Sequence, residues 1–297
     1  MKKLTHIVSI LLFSTLLLQA QSFNNEISKD VKTPYLLGKI NKDALSSDTY
    51  KEWFVKNYNA YPSKTNIINH KELSTYTIKA FIGTWCGDSK KEIPRFYKIL
   101  EETDFNLDRF TLVALDRERA AYKQSPGGEE EGLNIHRVPT FIFYKDGKEV
   151  NRIVESPVTS LEEDIQNILQ ENYTPNYQSV AMVDDLLIKY GLPKFQKKLK
   201  KVSKKLKGIS VKSSELNTYS SVLFFSERKS EAIAVAKLNI LLYPEEYHPY
   251  LSLAHKLNRM DNKTEALLNY QKALELDPEN EKIKGYINDL KTNSAKS

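Results

Sequence analysis

The sequence predicts an α/β domain, with a mixed sheet flanked by helices, followed by an all-α domain built from helical repeats. Two observations lead to this prediction. Between residues 75 and 172, short runs of strand-forming residues alternate with helical patterns. From about residue 177 onward the hydrophobic pattern is helical, and a repeat is visible near its end. A chain of 297 residues is long enough for two such domains to bury separate cores.

Composition and charge exclude several classes of protein. Hydrophobic residues make up 40% and charged residues 28% of the chain, which is typical of a globular protein. The net charge of +6 is too small to indicate nucleic-acid binding. One cysteine, Cys86, excludes an internal disulfide and a cysteine-based metal cage, and the five histidines lack metal-ligand spacing. We therefore expect no metal, no cofactor and no nucleic-acid partner.

The amino terminus has the pattern of a secretory signal. Lys2 and Lys3 precede an apolar run over residues 7–18, which ends near Ala20 before the sequence turns polar. We expect residues 1–20 to be cleaved, giving a soluble protein exported across the inner membrane to the periplasm or beyond. The alternative is a retained signal-anchor, although the run is short of the ~20 residues that a membrane span needs.

Residues 21–74 form an N-terminal extension that we expect to pack on the α/β domain. The segment is polar and rich in turn formers. Its exception is an aromatic series at helical spacing, Tyr50, Phe54, Tyr58 and Tyr61, which follows a Ser/Asp helix start.

The order of elements in the α/β domain, residues 75–172, follows from local patterns. Residues 76–84 and 110–116 are short apolar runs and predict buried strands. The Asp146-Gly147 dipeptide joins two β-rich runs and predicts a hairpin with a tight turn. Helices are expected after the first strand, over residues 89–102, and after the hairpin, where Ser160 is the predicted N-cap. The predicted order is strand, helix, strand, hairpin, helix.

Cys86 lies where the first strand gives way to its helix. Unpaired backbone N–H groups and the helix dipole at such a position favour the thiolate, which is the form that attacks disulfides. The alternative is a buried, inert cysteine that fills space as a small hydrophobic residue. The neighbours Trp85, Gly87 and Asp88 suit an exposed turn and favour the reactive thiol.

The motifs around Cys86 resemble those of the thioredoxin family. Three features carry the resemblance: the segment from Trp85 to Lys90 with Pro94 in the following helix, the run Val138-Pro139-Thr140, and the Asp146-Gly147 turn. The resemblance implies that Pro139 is cis and faces Cys86, and that Trp85, Val138 and Pro139 form the substrate-binding surface. Read without the family, Pro139 would be an ordinary edge-strand proline.

The departures from the family pattern are at three positions. Ser89 replaces the second, resolving cysteine, Ala80 replaces a buried acid, and Glu155 replaces a glycine beside the substrate groove. A serine hydroxyl cannot form a disulfide, although it can donate a hydrogen bond to a thiolate. We therefore expect a monothiol site in which Cys86 and Ser89 are the catalytic pair and Gly87, Asp88 and Glu155 modulate them.

Asp88 has two possible roles. Its carboxylate could lie near the Cys86 sulfur and disfavour the thiolate. It could equally bind backbone donors in the first helical turn and face solvent, which is the common place for acidic residues and the role we favour.

The carboxyl-terminal part, residues 210–292, contains two copies of one motif. Ala232 and Pro244 are each repeated 34 positions later, as Ala266 and Pro278. The spacing resembles that of tetratricopeptide repeats, in which small residues lie where paired helices cross. The motif residues are Leu216, Tyr219 and Leu223 in the first copy and Tyr250, Leu253, Ala254, Leu257, Ala266, Tyr270, Ala273 and Pro278 in the second. Two copies are fewer than such arrays need, so flanking helices at residues 179–191 and 281–291 must complete the core.

Residues 173–209 form a helical linker with a basic amphipathic helix. Phe195, Leu199, Val202 and Leu206 form one apolar stripe, and lysines cover the other faces, most densely from Lys197 to Lys205. One interpretation is a helix that docks its stripe on the repeats while the lysines face water. The other is contact with an anionic surface, either a membrane or an acidic partner.

Two classes of function are compatible with these features. In the first, Cys86 forms mixed disulfides with a protein or small-molecule disulfide or thiol, and the protein is a monothiol reductase or isomerase or a redox-dependent adaptor. In the second, the α/β domain is a non-catalytic scaffold and the helical repeats bind a protein partner. The tryptophan, cysteine and proline of the motif favour the first class. The absent resolving cysteine and the appended repeats favour the second.

Overall fold

The structure is a computed structural model that describes residues 23–28 and 33–294. The predicted signal peptide, residues 1–20, lies outside the described residues. No helix of the described part of the chain is long and apolar enough to cross a bilayer.

A six-stranded mixed sheet organises the first half of the chain. Its strands lie in the order β1-β2-β4-β3-β5-β6; β3 and β4 are parallel, and every other neighbouring pair is antiparallel. The strands are β1 Asn25–Ile27, β2 Tyr35–Ile40, β3 Thr77–Ile82, β4 Phe110–Ala114, β5 Thr140–Lys145 and β6 Lys148–Val154. The helices around it are α1 Lys42–Leu45, α2 Asp48–Asn59, α3 His70–Leu73, α4 Gly87–Glu102 and α5 Leu161–Leu169, with 3₁₀ turns at Thr65–Ile67, Leu107–Arg109 and Arg119–Ala121.

The parallel pair at the centre of the sheet determines where the site lies. Ile82 of β3 is paired with Ala114 of β4, so the two strands end at the same edge. Residues after Ile82 and residues after Ala114 therefore meet there, where ligands commonly bind α/β sheets. The central strands read as continuous apolar runs because both of their faces are covered.

The N-terminal extension contributes two strands that the sequence did not predict. β2 pairs with β4, and its Tyr35, Leu36 and Ile40 are buried. Gly38 lies in β2 with φ +84°, which interrupts the alternating pattern by which an isolated strand is recognised. The extension also holds the predicted aromatic helix, α2, with Tyr50 and Phe54 buried.

The hairpin and its following helix form as local chemistry predicts. Asp146 and Gly147 have φ values of 51° and 75°, as a primed two-residue turn requires. The Ser160 hydroxyl accepts a hydrogen bond from the Glu163 N–H at 3.2 Å and caps α5. The mixed sheet with flanking helices confirms the predicted class of the first domain.

The second half of the chain is helical throughout, which confirms the predicted all-α class. Two helix pairs, α8 with α9 and α10 with α11, precede a last helix, α12. Ala232 and Ala266, the repeated small residues, are fully buried where the paired helices meet. The helices are α6 Gln178–Lys197, α7 Leu199–Leu206, α8 Ser214–Phe225, α9 Lys229–Leu242, α10 Tyr247–Arg259, α11 Lys263–Leu276 and α12 Glu281–Ser294.

The basic segment consists of two helices where the sequence predicts one. α6 is interrupted at Gly191 (φ 66°, ψ 159°), resumes, and ends before Lys198; α7 follows. The predicted stripe spans both helices: Phe195, Val202 and Leu206 are buried in the core of the helical domain. The stripe therefore docks on the neighbouring helices, while Lys197 to Lys205 remain largely exposed.

We expect Phe195→Ala to lower the free energy of unfolding of the helical domain by about 3–5 kcal/mol, since a fully buried aromatic ring would leave a cavity. Urea denaturation followed by far-UV circular dichroism measures this loss. The exposed neighbour Lys197→Ala is the matched control and should change stability by less than about 0.5 kcal/mol. Equal effects of the two substitutions would contradict the docking of the stripe.

Candidate functional site

Cys86 occupies the N-cap position, immediately before α4. Its backbone is extended (φ −95°, ψ 131°), its N–H donates to the Gly83 carbonyl at 2.8 Å, and its carbonyl accepts from the Lys90 N–H at 3.0 Å. The side chain is half-buried against a cluster that includes Phe81, Leu115 and Val138. The thiol thus lies at the positive end of a 16-residue helix.

The Cys86 sulfur has two polar neighbours. Its S–H donates to the Val138 carbonyl at 3.3 Å, and the Asp88 carboxylate lies 3.9 Å away. The Val138–Pro139 peptide bond is cis. The segment around Pro139 therefore lies directly against the cysteine, although 52 positions separate Cys86 from Val138.

Asp88 is exposed, as the favoured role predicts, and its carboxylate also lies near the sulfur. The residue is in the first turn of α4, where a negative charge is favourable to the helix. Its carboxylate is 3.9 Å from the Cys86 sulfur.

Ser89 is buried, and its partner is not the cysteine. The hydroxyl oxygen accepts a hydrogen bond from the Gly83 N–H at 3.2 Å, and the side chain is only 1% exposed. Among the described residues, Ser89 makes no hydrogen bond to Cys86. Its observed contact ties the start of α4 to the end of β3.

Trp85 and Gly87 flank the cysteine in different ways. The Trp85 indole N–H donates to the Leu115 carbonyl at 3.0 Å, just after β4. Its ring lies over Gly83, where a Cβ would approach to 2.6 Å, so glycine is required there. Gly87 is exposed, and a Cβ added there would meet no other atom within 4 Å.

Glu155 is held in a conformation that favours glycine. Its φ is +66°, and its N–H donates to the Pro139 carbonyl at 2.7 Å. The carboxylate accepts from the Arg137 guanidinium at 2.9 Å and from the Tyr177 hydroxyl. These two bonds direct the side chain to the boundary between the domains and offset the backbone strain.

Strand β2, which the sequence did not predict, bonds to the two loops that follow β3 and β4 at this edge of the sheet. The Leu36 N–H donates to the Thr84 hydroxyl at 3.0 Å, next to Trp85. The Tyr35 hydroxyl donates to Asp116 at 2.8 Å, just after β4. The extension therefore supports the site as well as the sheet.

Three basic residues near Cys86 were not singled out from the sequence: Lys123, His136 and Arg137. Burial and, to a lesser extent, Arg137 lower the pKa of Lys123 to about 7, although the nearby Cys86 and Glu155 oppose the shift. The Lys123 ammonium donates to the His136 carbonyl. Burial also lowers the pKa of His136 to about 3. Nothing in the local pattern marks these residues, because they meet only when the chain between β4 and β5 folds back.

The described residues contain no group of three or more His, Cys, Asp or Glu side chains that could hold a metal ion. The side chains at this edge of the sheet are one thiol, an exposed carboxylate, a buried hydroxyl and buried basic groups.

Comparison with known proteins finds thioredoxins. The chain is 33% identical over 89 residues to Thioredoxin Asp f 28 of Aspergillus fumigatus, covering 30% of this chain and 73% of the relative. It is 32% identical over 89 residues to a thioredoxin of Coprinus comatus, covering 76% of that protein. It is 30% identical over 95 residues to the TPR repeat-containing thioredoxin TDX of Arabidopsis thaliana, covering 22% of that protein. No family model and no solved structure matches the sequence.

We expect Asp88→Asn to speed alkylation of Cys86 by iodoacetamide at pH 7 by about two- to fivefold. Two charges about 4 Å apart interact by about 1 kcal/mol in water, and the substitution removes that repulsion from the thiolate. Mass spectrometry of timed samples measures the rate. Asp108→Asn is the matched control, since Asp108 is exposed at the opposite end of the sheet. A rate that is unchanged in Asp88→Asn would mean that solvent screens the carboxylate fully.

Lys123 should make stability depend on pH. With a pKa of about 7 in the folded protein and 10.5 in the unfolded chain, the unfolded chain binds more protons between these values. The free energy of unfolding should therefore rise with pH from 7 to 10 more steeply in the wild type than in Lys123→Met, by at most about 1.4 kcal/mol per pH unit. Denaturant titrations at four pH values test this, with the exposed Lys148→Met as control. Equal slopes in wild type and Lys123→Met would refute it.

Proposed function

This chain belongs to the thioredoxin family, and on that premise we propose that it exchanges thiols and disulfides through a single nucleophilic cysteine, Cys86. Its thioredoxin relatives support a thioredoxin-like redox function and thiol or disulfide substrates. The observation that carries the monothiol form is the geometry at the start of α4. The chain's one sulfhydryl lies there against Val138, and a buried serine occupies the place of a second thiol.

The first step of the proposed reaction is a thiol–disulfide exchange. The Cys86 thiolate attacks one sulfur of a substrate disulfide, the new bond joins Cys86 to that sulfur, and the other sulfur leaves as a thiolate. The Val138 carbonyl, which accepts the resting S–H, marks the side from which substrate backbone would approach. The half-exposed sulfur and the exposed Gly87 leave room for that approach.

Ser89 cannot complete the cycle. Release of the first product requires attack by a second thiolate on the mixed disulfide, and Ser89 offers a hydroxyl that is buried and bonded to Gly83. We therefore propose that an external thiol, either a small molecule or a protein, attacks the Cys86 adduct. That step regenerates the Cys86 thiolate and leaves the external thiol disulfide-bonded to the substrate.

A binding module is the second candidate function. The observation that favours it is the pair of hydrogen bonds that the Glu155 carboxylate accepts from Arg137 and Tyr177. Because Glu155 lies beside Pro139, these bonds hold the start of the helical domain next to the thiol site. In this form the helical repeats recruit a protein partner, and the exposed lysines from Lys197 to Lys205 contact an anionic surface. An adduct at Cys86 that persists would serve either function.

We also propose export, with cleavage after Ala20. The basic start and short apolar run of residues 1–20 support it. Amino-terminal sequencing of the protein recovered from cell fractions tests the proposal. A mature chain that begins at Met1 in the cytoplasmic fraction would exclude it.

Ser89→Cys should supply a resolving thiol and so allow the protein to catalyse multiple turnovers. We expect wild type to form Cys86-dependent mixed disulfides but to reduce disulfides slowly unless a thiol such as glutathione is added. Ser89→Cys should accelerate disulfide reduction at least about tenfold, provided that the two sulfurs reach bridging geometry. Cys86→Ala should be inactive. Disulfide-reduction assays and non-reducing gels measure both properties.

Two outcomes of that experiment would overturn the proposal. Fast multiple turnover by wild type without added thiol would mean that Ser89 does not limit the cycle. Equal inactivity of all three proteins, with no adduct, would favour the binding module.

A further inference from the structure

A cavity of about 320 Å³ lies between the two domains. The segment around the 3₁₀ turn Arg119–Ala121 forms one wall, and helices α8 and α10 form the other. Tyr122 and Phe225 provide aromatic surface and stand edge to face at 6.4 Å. We call this space the interdomain pocket. Its volume is enough for one or two side chains of a bound molecule, at the small end of ligand sites.

The basic side chains that line the interdomain pocket have no acidic neighbour in the lining. Its lining includes Arg119, His255, Lys256 and Arg259 and contains no aspartate or glutamate. Arg119 and Arg259 are exposed at the rim, and Arg259 lies over the Phe225 ring at 5.6 Å. In the described part of the chain, none of these side chains forms a salt bridge with a carboxylate. The pocket therefore presents basic groups with no internal counter-charge.

Lys256 is the most deeply buried of these basic groups, and it has no acidic partner among the described residues. It is 5% exposed, and its ammonium donates to neutral oxygens: the Ser252 hydroxyl at 2.8 Å, the Ser221 hydroxyl at 3.2 Å and the Ser252 carbonyl at 3.4 Å. Burying an ammonium without an anion is costly, and burial lowers the pKa of Lys256 to about 7. A bound anion would remove that cost.

The basic groups also act on one another across the domain boundary. Burial and, to a lesser extent, charge repulsion from Arg119, Lys256 and Arg259 lower the pKa of His255 to about 4. Arg119 comes from the α/β domain and the other two from α10, so both domains contribute charge to one site.

The interdomain pocket is joined to the thiol site by a short series of contacts. Tyr122 lines the pocket, and the ammonium of the next residue, Lys123, donates to the His136 carbonyl. Two residues further along, the Val138 carbonyl accepts from the Cys86 S–H. A molecule whose sulfur reacts at Cys86 is therefore near the pocket with its remaining groups.

We propose that the interdomain pocket binds a carboxylate of the substrate that reacts at Cys86, so that the protein prefers acidic thiols and disulfides. The inference rests on the proposed function and names its substrate class. Arg119 and Arg259 bind the carboxylate at the rim, Lys256 provides charge at the base, and Tyr122 and Phe225 pack against the aliphatic stem. Arginine suits this role because its guanidinium binds carboxylates through two parallel hydrogen bonds.

The test uses the purified protein and two peptides of equal length. Each peptide has one cysteine held as a mixed disulfide with thionitrobenzoate. One peptide has glutamates around the cysteine, and the other has glutamines at the same positions. Attack by Cys86 releases coloured thionitrobenzoate and leaves the peptide on Cys86, as mass spectrometry verifies. At low salt we expect the acidic peptide to react at least about tenfold faster, with the advantage decreasing as salt is added.

The variants separate the pocket from the overall charge of the protein. Arg119→Gln with Arg259→Gln changes two exposed rim residues, and we expect the acidic preference to fall to about twofold or less. Lys200→Gln with Lys205→Gln removes the same charge from exposed positions of α7 and should keep the preference. Lys256→Met tests the base of the pocket independently. The rate with the glutamine peptide, measured in every variant, corrects for any change in the reactivity of Cys86 itself.

Each remaining outcome counts against one specific claim. Equal rates with the two wild-type peptides would overturn the pocket's role while leaving the thiol function intact. A preference that survives in the rim variant, or is lost in the α7 control, would assign it to the general field of the protein. No Cys86-dependent adduct with either peptide would overturn the proposed function and, with it, this substrate class.

Discussion

The ion pair between Arg137 and Glu155 joins the α/β domain to the helical domain beside the thiol site. The two groups are 2.9 Å apart, and their side chains are 17% and 21% exposed. The Arg137 guanidinium also donates to the Ser214 carbonyl at 3.1 Å and lies over the Tyr177 ring. One side chain therefore joins the segment beside Pro139, the end of β6 and the start of the helical domain. Removing one partner of such a largely buried ion pair would destabilise the fold, because it leaves an uncompensated buried charge.

This pair explains how a glutamate is tolerated where the family pattern has glycine. Glu155 has a positive φ, which costs free energy for any residue with a Cβ. Its bonds to Arg137 and Tyr177 offset that cost and use the carboxylate to fix the second domain. Glu155 therefore connects the segment beside Pro139 to the start of the helical domain.

The surroundings of Cys86 follow from the same arrangement. Ala80 is fully buried where the family pattern has an acid, and the charged groups that reach the interior here are basic. Lys123 and Arg137 belong to the segment between β4 and β5. The helical domain contacts this segment, and the Gln124 side chain donates to the Phe225 carbonyl. A basic interior beside the thiol suits anionic molecules, and the exposed Asp88 carboxylate lies 3.9 Å from the sulfur on the solvent side.

The sequence by itself determined the features that depend on neighbouring residues: the hairpin at Asp146-Gly147, the cap at Ser160, the repeat marked by Ala232 and Ala266, and Cys86 at a helix start. Turn geometry and helical periodicity act within a few residues, so these features are visible without a fold. The tertiary structure alone decided that β2 completes the sheet, that Ser89 binds Gly83, and that basic residues from two domains share one pocket. Those contacts join positions far apart in the chain, and their energies depend on burial and charge separation, which exist only once the chain has folded.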